Sequence, residues 1–296
     1  MSLRSALVTG GGGQLASDLQ EQIEARGGAV RAPGRAELDI TDDEAVARAL
    51  SEAGPDVVFN CAAFHNLDVC EREEDRSFEV NARAVKRLAE RCRESGARLV
   101  HLSTNYVFDG RGEEPYAEHD TPNPRSIYAI SKLAGEYCAL SYAPDALVVR
   151  AAGLYGLHGS ASKGGNFVTR MLARAREPET RLKMVADQRL SPTFTADLAA
   201  ALIEAVEQGA SGTLHLTAGG ACSWFEFTEA ILSIAGVEAP IEPVTTTIPP
   251  GGVDRPLNGV LARPRAAAAG LTPLRDWRVA LEDYMQRAGL AAALPA

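Results

Sequence analysis

A tyrosine and a lysine four residues apart, Tyr128 and Lys132, are the side chains best suited to move a proton in this chain. They lie in a stretch of helical character, Ser126 to Tyr142, so they fall one turn apart on the same face. A third group joins them. Thr104 follows the apolar run Leu99-Val100-His101-Leu102-Ser103, which reads as a strand and delivers its hydroxyl to a strand end. A phenol that donates a proton and a second hydroxyl that holds an oxygen form a set suited to carbonyl reduction. Taken alone, a Tyr and a Lys at this spacing also describe a solvated helix face.

Carbonyl reduction needs a hydride donor, and the N-terminus offers a place for one. The run Thr9-Gly10-Gly11-Gly12-Gly13-Gln14-Leu15-Ala16 stands between a strand, Ser5 to Thr9, and a helix, Gln14 to Arg26. Backbone N–H groups and the positive helix end would there face a pyrophosphate, with Gly10, Gly13, Gln14 and Leu15 in contact. A flexible turn is the other reading of such a glycine string. The spacing is G-x-x-G-x-x-A, and the small Ala16 permits close packing of helix on sheet.

An acidic residue about 20 positions after the glycines would bind the ribose hydroxyl of NAD, whereas arginine suits the phosphate of NADP. Here the second strand ends Arg31-Ala32-Pro33-Gly34-Arg35 with no acid, which favours NADPH, with Arg35 as phosphate partner and NADH as the alternative. Two solvated arginines in an Arg-rich chain are the competing explanation. Asp39 and Ile40 are candidates for the adenine, and Cys61, Ala62 and Ala63 for the ribose and nicotinamide. A positively charged oxidised nicotinamide, together with the Lys132 ammonium, would favour the tyrosinate and draw the Tyr128 phenol from about 10 toward working pH.

Groups this far apart in sequence must be brought together by a sheet. Short β-prone runs at 5–9, 29–33, 56–60, 98–103 and 146–150 alternate with helical stretches at 14–26, 42–52 and 75–95. That alternation predicts an α/β fold, a Rossmann-type doubly wound parallel sheet covered on both faces. Beyond residue 150 the rhythm breaks at Gly- and Pro-rich joints, 159–165, 240–243 and 249–256, so a smaller, discontinuous α/β substrate-binding lobe is expected. The boundaries read as 1–150 plus about 182–210 for the dinucleotide domain. The lobe takes about 151–181 and 211–296.

Composition narrows the function classes. The 296 residues are 46% hydrophobic and 23% charged, as in a globular protein, and a net charge of −9 gives no general attraction to nucleic acid or anionic membrane. No apolar run approaches the roughly 18 residues that span a bilayer, and no secretory signal opens the chain, so a cytoplasmic location is expected. The five cysteines contain no C-x-x-C pair and the five histidines no ligand spacing, so no protein-held metal is expected.

With these runs in hand, the chain resembles the extended short-chain dehydrogenase/reductase superfamily and, within it, the dTDP-4-dehydrorhamnose reductase family. The resemblance extends over nearly the whole sequence and is carried by Gly10 to Ala16, Pro55 to Ala63, Leu99 to Gly110, Tyr128 to Glu136, Gly165 to Phe167, Asp187 to Thr193 and Ser223 to Phe227. It implies NAD(P)H-dependent reduction of the 4-keto group of a nucleotide-linked 6-deoxyhexose. Tyr128 would be proton donor, Lys132 the cofactor-ribose anchor and Thr104 a substrate contact. It also implies a homodimer, and through Arg255 a partner for the nucleotide diphosphate. His65 is a further candidate substrate contact at the rim.

Three positions depart from the family pattern on the sugar side. Asn105 stands where Asp is common, Gly153 where Trp is common, and Leu190 where Gly is common. Losing an aromatic platform removes contact area for a sugar face. Two other activities fit the same resemblance: a nucleotide-sugar epimerase or dehydratase that recycles bound NAD, and a non-catalytic regulatory subunit resembling that of methionine adenosyltransferase.

Overall fold

A computed structural model describes residues 3–158, 165–249 and 251–292. The chain begins with β1 (Ser5–Thr9), α1 (Gln14–Ala25), β2 (Ala29–Arg31), α2 (Asp43–Ala53) and β3 (Val57–Asn60). It continues through α3 (Leu67–Arg72), α4 (Glu74–Phe78), a π-helical turn (Glu79–Arg83), α5 (Ala84–Ser95) and β4 (Arg98–Thr104). Next come α6 (Ile127–Tyr142), β5 (Leu147–Ala151), β6 (Leu154–Tyr155), α7 (Phe167–Ala175), β7 (Leu182–Val185), β8 (Arg189–Leu190) and β9 (Thr193–Phe194). The chain then forms α8 (Thr195–Glu207), β10 (Gly212–His215), β11 (Cys222–Ser223), α9 (Trp224–Ala235), β12 (Ile241–Val244), α10 (Pro264–Ala268) and α11 (Trp277–Arg287).

Six strands form one parallel sheet in the order β2-β1-β3-β4-β5-β10. Side chains alternate across it, as the strand period of two requires. Leu7, Val58, Leu99 and Val148 point to the face covered by α2, α5 and α6. Val8, Phe59, Val100 and Val149 point to the other, where α1 and α8 pack. Both faces are buried, so the strands are mostly apolar, and the doubly wound α/β expectation is met.

Helix ends follow local chemistry. Asp42 and Ser126 cap α2 and α6 by accepting N–H bonds from Ala45 and Ala129, and Gly54 ends α2 in the left-handed region at φ 49°. The single helix expected over 75–95 is interrupted by the π-helical turn at Asn81. Gly135 of α6 is the reason the turn fits: a Cβ there would lie 2.1 Å from the Asn81 carbonyl oxygen.

The smaller lobe is stitched from short pairs: β6 with β9, β7 with β12, and β8 antiparallel to β11. Its core is aromatic, with Tyr155, Phe194, Phe227, Trp277 and Tyr284 all buried against one another. Strand pairing moves the expected boundaries. Residues 182–185 pair with β12 in the lobe, while 212–215 form the sixth strand of the main sheet. Ala266, Leu271 and Leu274 also join the sheet-side core. Strands of four residues carry no signal of which distant strand they will meet. The joint read at 159–165 lies, apart from Gly165, outside the described residues, as does Pro250 of the joint at 249–256.

No helix among the described residues is long and apolar enough to cross a membrane. All five cysteines are free. Asp18, Glu21 and His158 bring their ligand atoms within 4.8 Å of one another. A His158–Glu21 contact of 2.7 Å accounts for two of them.

Candidate active site

The glycine turn is shaped by close approach. Gly10 has φ 76°, and a Cβ on it would lie 2.9 Å from the Ala62 nitrogen; one on Gly11 would lie 2.0 Å from the Ala32 carbonyl oxygen. Any larger residue would push the turn off the sheet. Gly13 then opens α1 without a side-chain cap, and the first turn of α1 holds no acid. An uncapped, positive helix end beside bare backbone fits the diphosphate of a dinucleotide.

This turn forms one wall of a cavity of about 660 Å³ at the carboxyl edge of the sheet. Gly10, Gly13, Gln14, Leu15, Cys61, Ala63, His65, Thr104, Asn105, Tyr128, Lys132, Gly153 and Arg255 all line it. Ala62, Arg35, Asp39 and Ile40 do not. Ala62 backs the turn beneath Gly10, and Ile40 is buried in the core. Arg35 lies on the surface, paired with Asp39 at 3.3 Å, and that carboxylate also accepts from Thr41. Arg31 is turned away onto Glu52 at 2.7 Å.

The Tyr128 and Thr104 side chains both line the cavity. Burial holds the phenol above its usual range, and the nearby Thr104 hydroxyl opposes that; Tyr106 and Cys70 are the titratable neighbours acting on it. Lys132 is not among them. Its ammonium turns inward, donating to the Leu102 carbonyl at 2.5 Å and lying 3.5 Å from His101 Nε2. The short Leu102 contact directs the charge of Lys132 into the sheet. Burial brings Lys132 down to about 8, against the pull of Glu136 and Cys61.

Beneath the hydroxyls a buried polar network fixes β4 to β5 and α6. Arg150 clasps Glu136 with Nε and Nη2 at 3.0 and 2.7 Å, and Ser103 donates to the same carboxylate at 2.5 Å. Asn81 holds the Phe64 backbone from both sides, accepting its N–H at 2.9 Å and donating to its carbonyl at 2.8 Å. This fixes the loop after β3 that carries Cys61, Ala63 and His65.

On the opposite wall, Asn105 gives its amide N–H to the Gly259 carbonyl at 3.1 Å, so it ties the strand end to the late loop. Arg255 lines the cavity near Tyr106, whose ring stands edge-on to Tyr128 at 6.0 Å. Gly153 has φ 57°, and a Cβ on it would lie 2.7 Å from Leu190 Cδ1. The two departures from the family pattern thus touch each other: a small residue at 153 makes room for the larger one at 190.

Sequence reasoning missed several lining residues. Tyr106, Phe167, Arg170, Gln188 and Trp224 all face the cavity. Phe167 and Trp224 were within reach, since each follows a helix-capping residue, Asn166 and Ser223, with a full capping box. Their rings meet at 4.4 Å.

A parallel doubly wound sheet with a glycine turn at its carboxyl edge, lining one cavity with Thr104 and Tyr128, defines a Rossmann-type α/β protein. The chain belongs to the RmlD substrate binding domain family, whose model matches residues 4–289. It is 41% identical over 284 residues to a dTDP-4-dehydrorhamnose reductase of Streptomyces griseus, covering 94% of this chain and 91% of that one. It is 38% identical to the spore coat polysaccharide biosynthesis protein SpsK of Bacillus subtilis, covering 96% and 98%. Among solved structures, dTDP-4-dehydrorhamnose reductase from Bacillus anthracis in complex with NADP superposes with a TM-score of 0.90 at 32% identity, covering 97% and 99%.

Proposed function

We propose that this protein is an oxidoreductase that uses NADPH to reduce the 4-keto group of a dTDP-linked 6-deoxyhexose. The observation that carries the reading is that Tyr128 and Thr104 line one cavity whose other wall is the uncapped glycine turn. Relatives named as reductases of dTDP-4-keto sugars supply the substrate class.

The glycine turn and the start of α1 would hold the cofactor diphosphate, and Arg35 would meet the adenosine phosphate. Ala63 and Cys61 would leave room for the ribose and nicotinamide, and Lys132 would hold the ribose hydroxyls. NADPH, when bound, would supply the hydride. Thr104 holds the ketone oxygen, and Tyr128 delivers its proton to that oxygen, so a ketone, a hydride and a proton become a secondary alcohol. Arg255 offers paired donors to the nucleotide diphosphate. A cytoplasmic location and a homodimer complete the reading.

Incubation with dTDP-4-dehydrorhamnose or dTDP-4-keto-6-deoxyglucose and NADPH consumes cofactor in proportion to alcohol formed. No turnover with any dTDP-4-keto sugar would overturn the assignment.

A further inference from the structure

We infer that His101 is a positioning residue for Lys132, the end of a buried hydrogen-bonded string whose direction reverses with the charge of that lysine. The inference rests on Lys132 belonging to the reaction set proposed above. Four side chains on three adjacent strands and α6 form the string. Thr9 at the end of β1 donates to Asn60 Oδ1 at 2.7 Å; Asn60 Nδ2 stands 3.1 Å from His101 Nδ1, and His101 Nε2 is 3.5 Å from Lys132 Nζ. Thr9, Asn60 and His101 are fully buried and Lys132 is 2% exposed, so water completes none of these bonds. A Cβ on Gly135 would lie 3.2 Å from His101 Nε2, so α6 presses directly on the ring.

Counting donors gives the string a direction. With Asn60 donating to Nδ1, the neutral imidazole carries its hydrogen on Nε2, and that hydrogen faces a nitrogen able to accept only as a neutral amine. An ammonium has three donors and no acceptor. Facing it, His101 must present a bare Nε2 and carry its hydrogen on Nδ1, which asks Asn60 to present its amide oxygen instead. Rotating that amide by half a turn does so, and Thr9 then accepts. The ammonium admits only this second arrangement, whereas the neutral amine admits the first, which alone uses its lone pair.

The ring itself stays uncharged in both, since burial and Lys132 hold its pKa well below the usual histidine range. The other groups facing Lys132 cannot follow it. Cys61, after β3, is kept as a thiol up to about 12, and Glu136, on α6, is locked to Arg150 and Ser103. The Leu102 carbonyl on β4 accepts but has no hydrogen to exchange. His101 is therefore the neighbour that can turn from acceptor to donor as the amine loses its proton.

The test is nitrogen NMR of histidine-labelled, cofactor-free protein between about pH 6 and about pH 10, with the His101 signals assigned by their loss in His101→Gln. The expected result is a neutral ring whose two nitrogens exchange character through the pH at which Lys132 titrates, about 8. A single tautomer throughout overturns the inference. Kinetics give a second readout: His101→Leu moves the alkaline limb of kcat/KM for NADPH, which reports the protein before cofactor binds, to lower pH by about one unit, and His101→Gln, which can also reverse direction, restores it. An unmoved limb in folded His101→Leu also overturns it. Should that variant not fold, the NMR result decides. Wild-type protein that shows tautomer exchange but turns over no ketosugar would refute the reductase reading and leave the string standing.

Discussion

The two walls of the cavity are built on opposite principles. Below Tyr128 and Thr104 the sheet side is polar and over-determined: Glu136, Arg150 and Ser103 share one carboxylate, and Asn81 grips the Phe64 backbone from two directions. The lobe side is held by apolar shape, an aromatic core and a Leu190 side chain seated on a glycine. Hydrogen-bonded walls tolerate no exchange of partners, since a lost partner leaves a buried polar group unsatisfied. Shape-fitted walls tolerate paired exchange, because volume can pass from one residue to its neighbour. Reaction class is thus fixed on one side of this molecule and substrate shape adjusted on the other.

The comparison is sharpest at the Tyr128 phenol. Tyr128→Phe removes the proposed proton donor but no packing, so turnover should fall by about 10²–10⁴-fold with unchanged thermal stability. A parallel loss of stability would mean that the ring, not its hydroxyl, matters. Next in size, Arg150→Met leaves the Glu136 carboxylate buried and unpaired and should cost about 3–5 kcal/mol in denaturant unfolding. A cost near zero would show that the polar wall is not over-determined.

Arg35→Ala probes the outer end of the cofactor site. It should raise KM for NADPH by about 10–100-fold and leave NADH unaffected, the size of one lost charged hydrogen bond. An equal effect on both cofactors would remove Arg35 from phosphate recognition. On the lobe wall, Gly153→Trp alone should destabilise by about 1–3 kcal/mol, because its Cβ meets Leu190 and its φ of 57° is left-handed. Adding Leu190→Gly should recover the part of that loss due to the clash and alter the preference among ketosugars. No recovery at all in the double variant would break the pairing of these positions.

Much of this was legible before any coordinates. The apolar strands, the glycine turn and the Thr104, Tyr128 and Lys132 set are local patterns, and local patterns survive into the fold. Pairings set by distant segments were not legible: β7 with β12, β10 beside β5, and Leu190 over Gly153 each join residues whose sequence says nothing of the other. The polar string beneath Lys132 left one readable trace. His101 and Asn60 interrupt strands that are otherwise apolar, and a polar residue inside a doubly covered sheet needs a buried partner. The inward turn of Lys132 left none, because it depends on where the Leu102 carbonyl points.

Because β10 closes the main sheet after the chain has already passed through much of the lobe, the cofactor-binding half is not a separable piece of polypeptide. A fragment ending at residue 150 would leave the outer edge of β5 bare, a row of unpaired backbone groups open to aggregation. On the ribosome, that edge waits for 212–215 to emerge, so neither half can finish maturing before the other is mostly made.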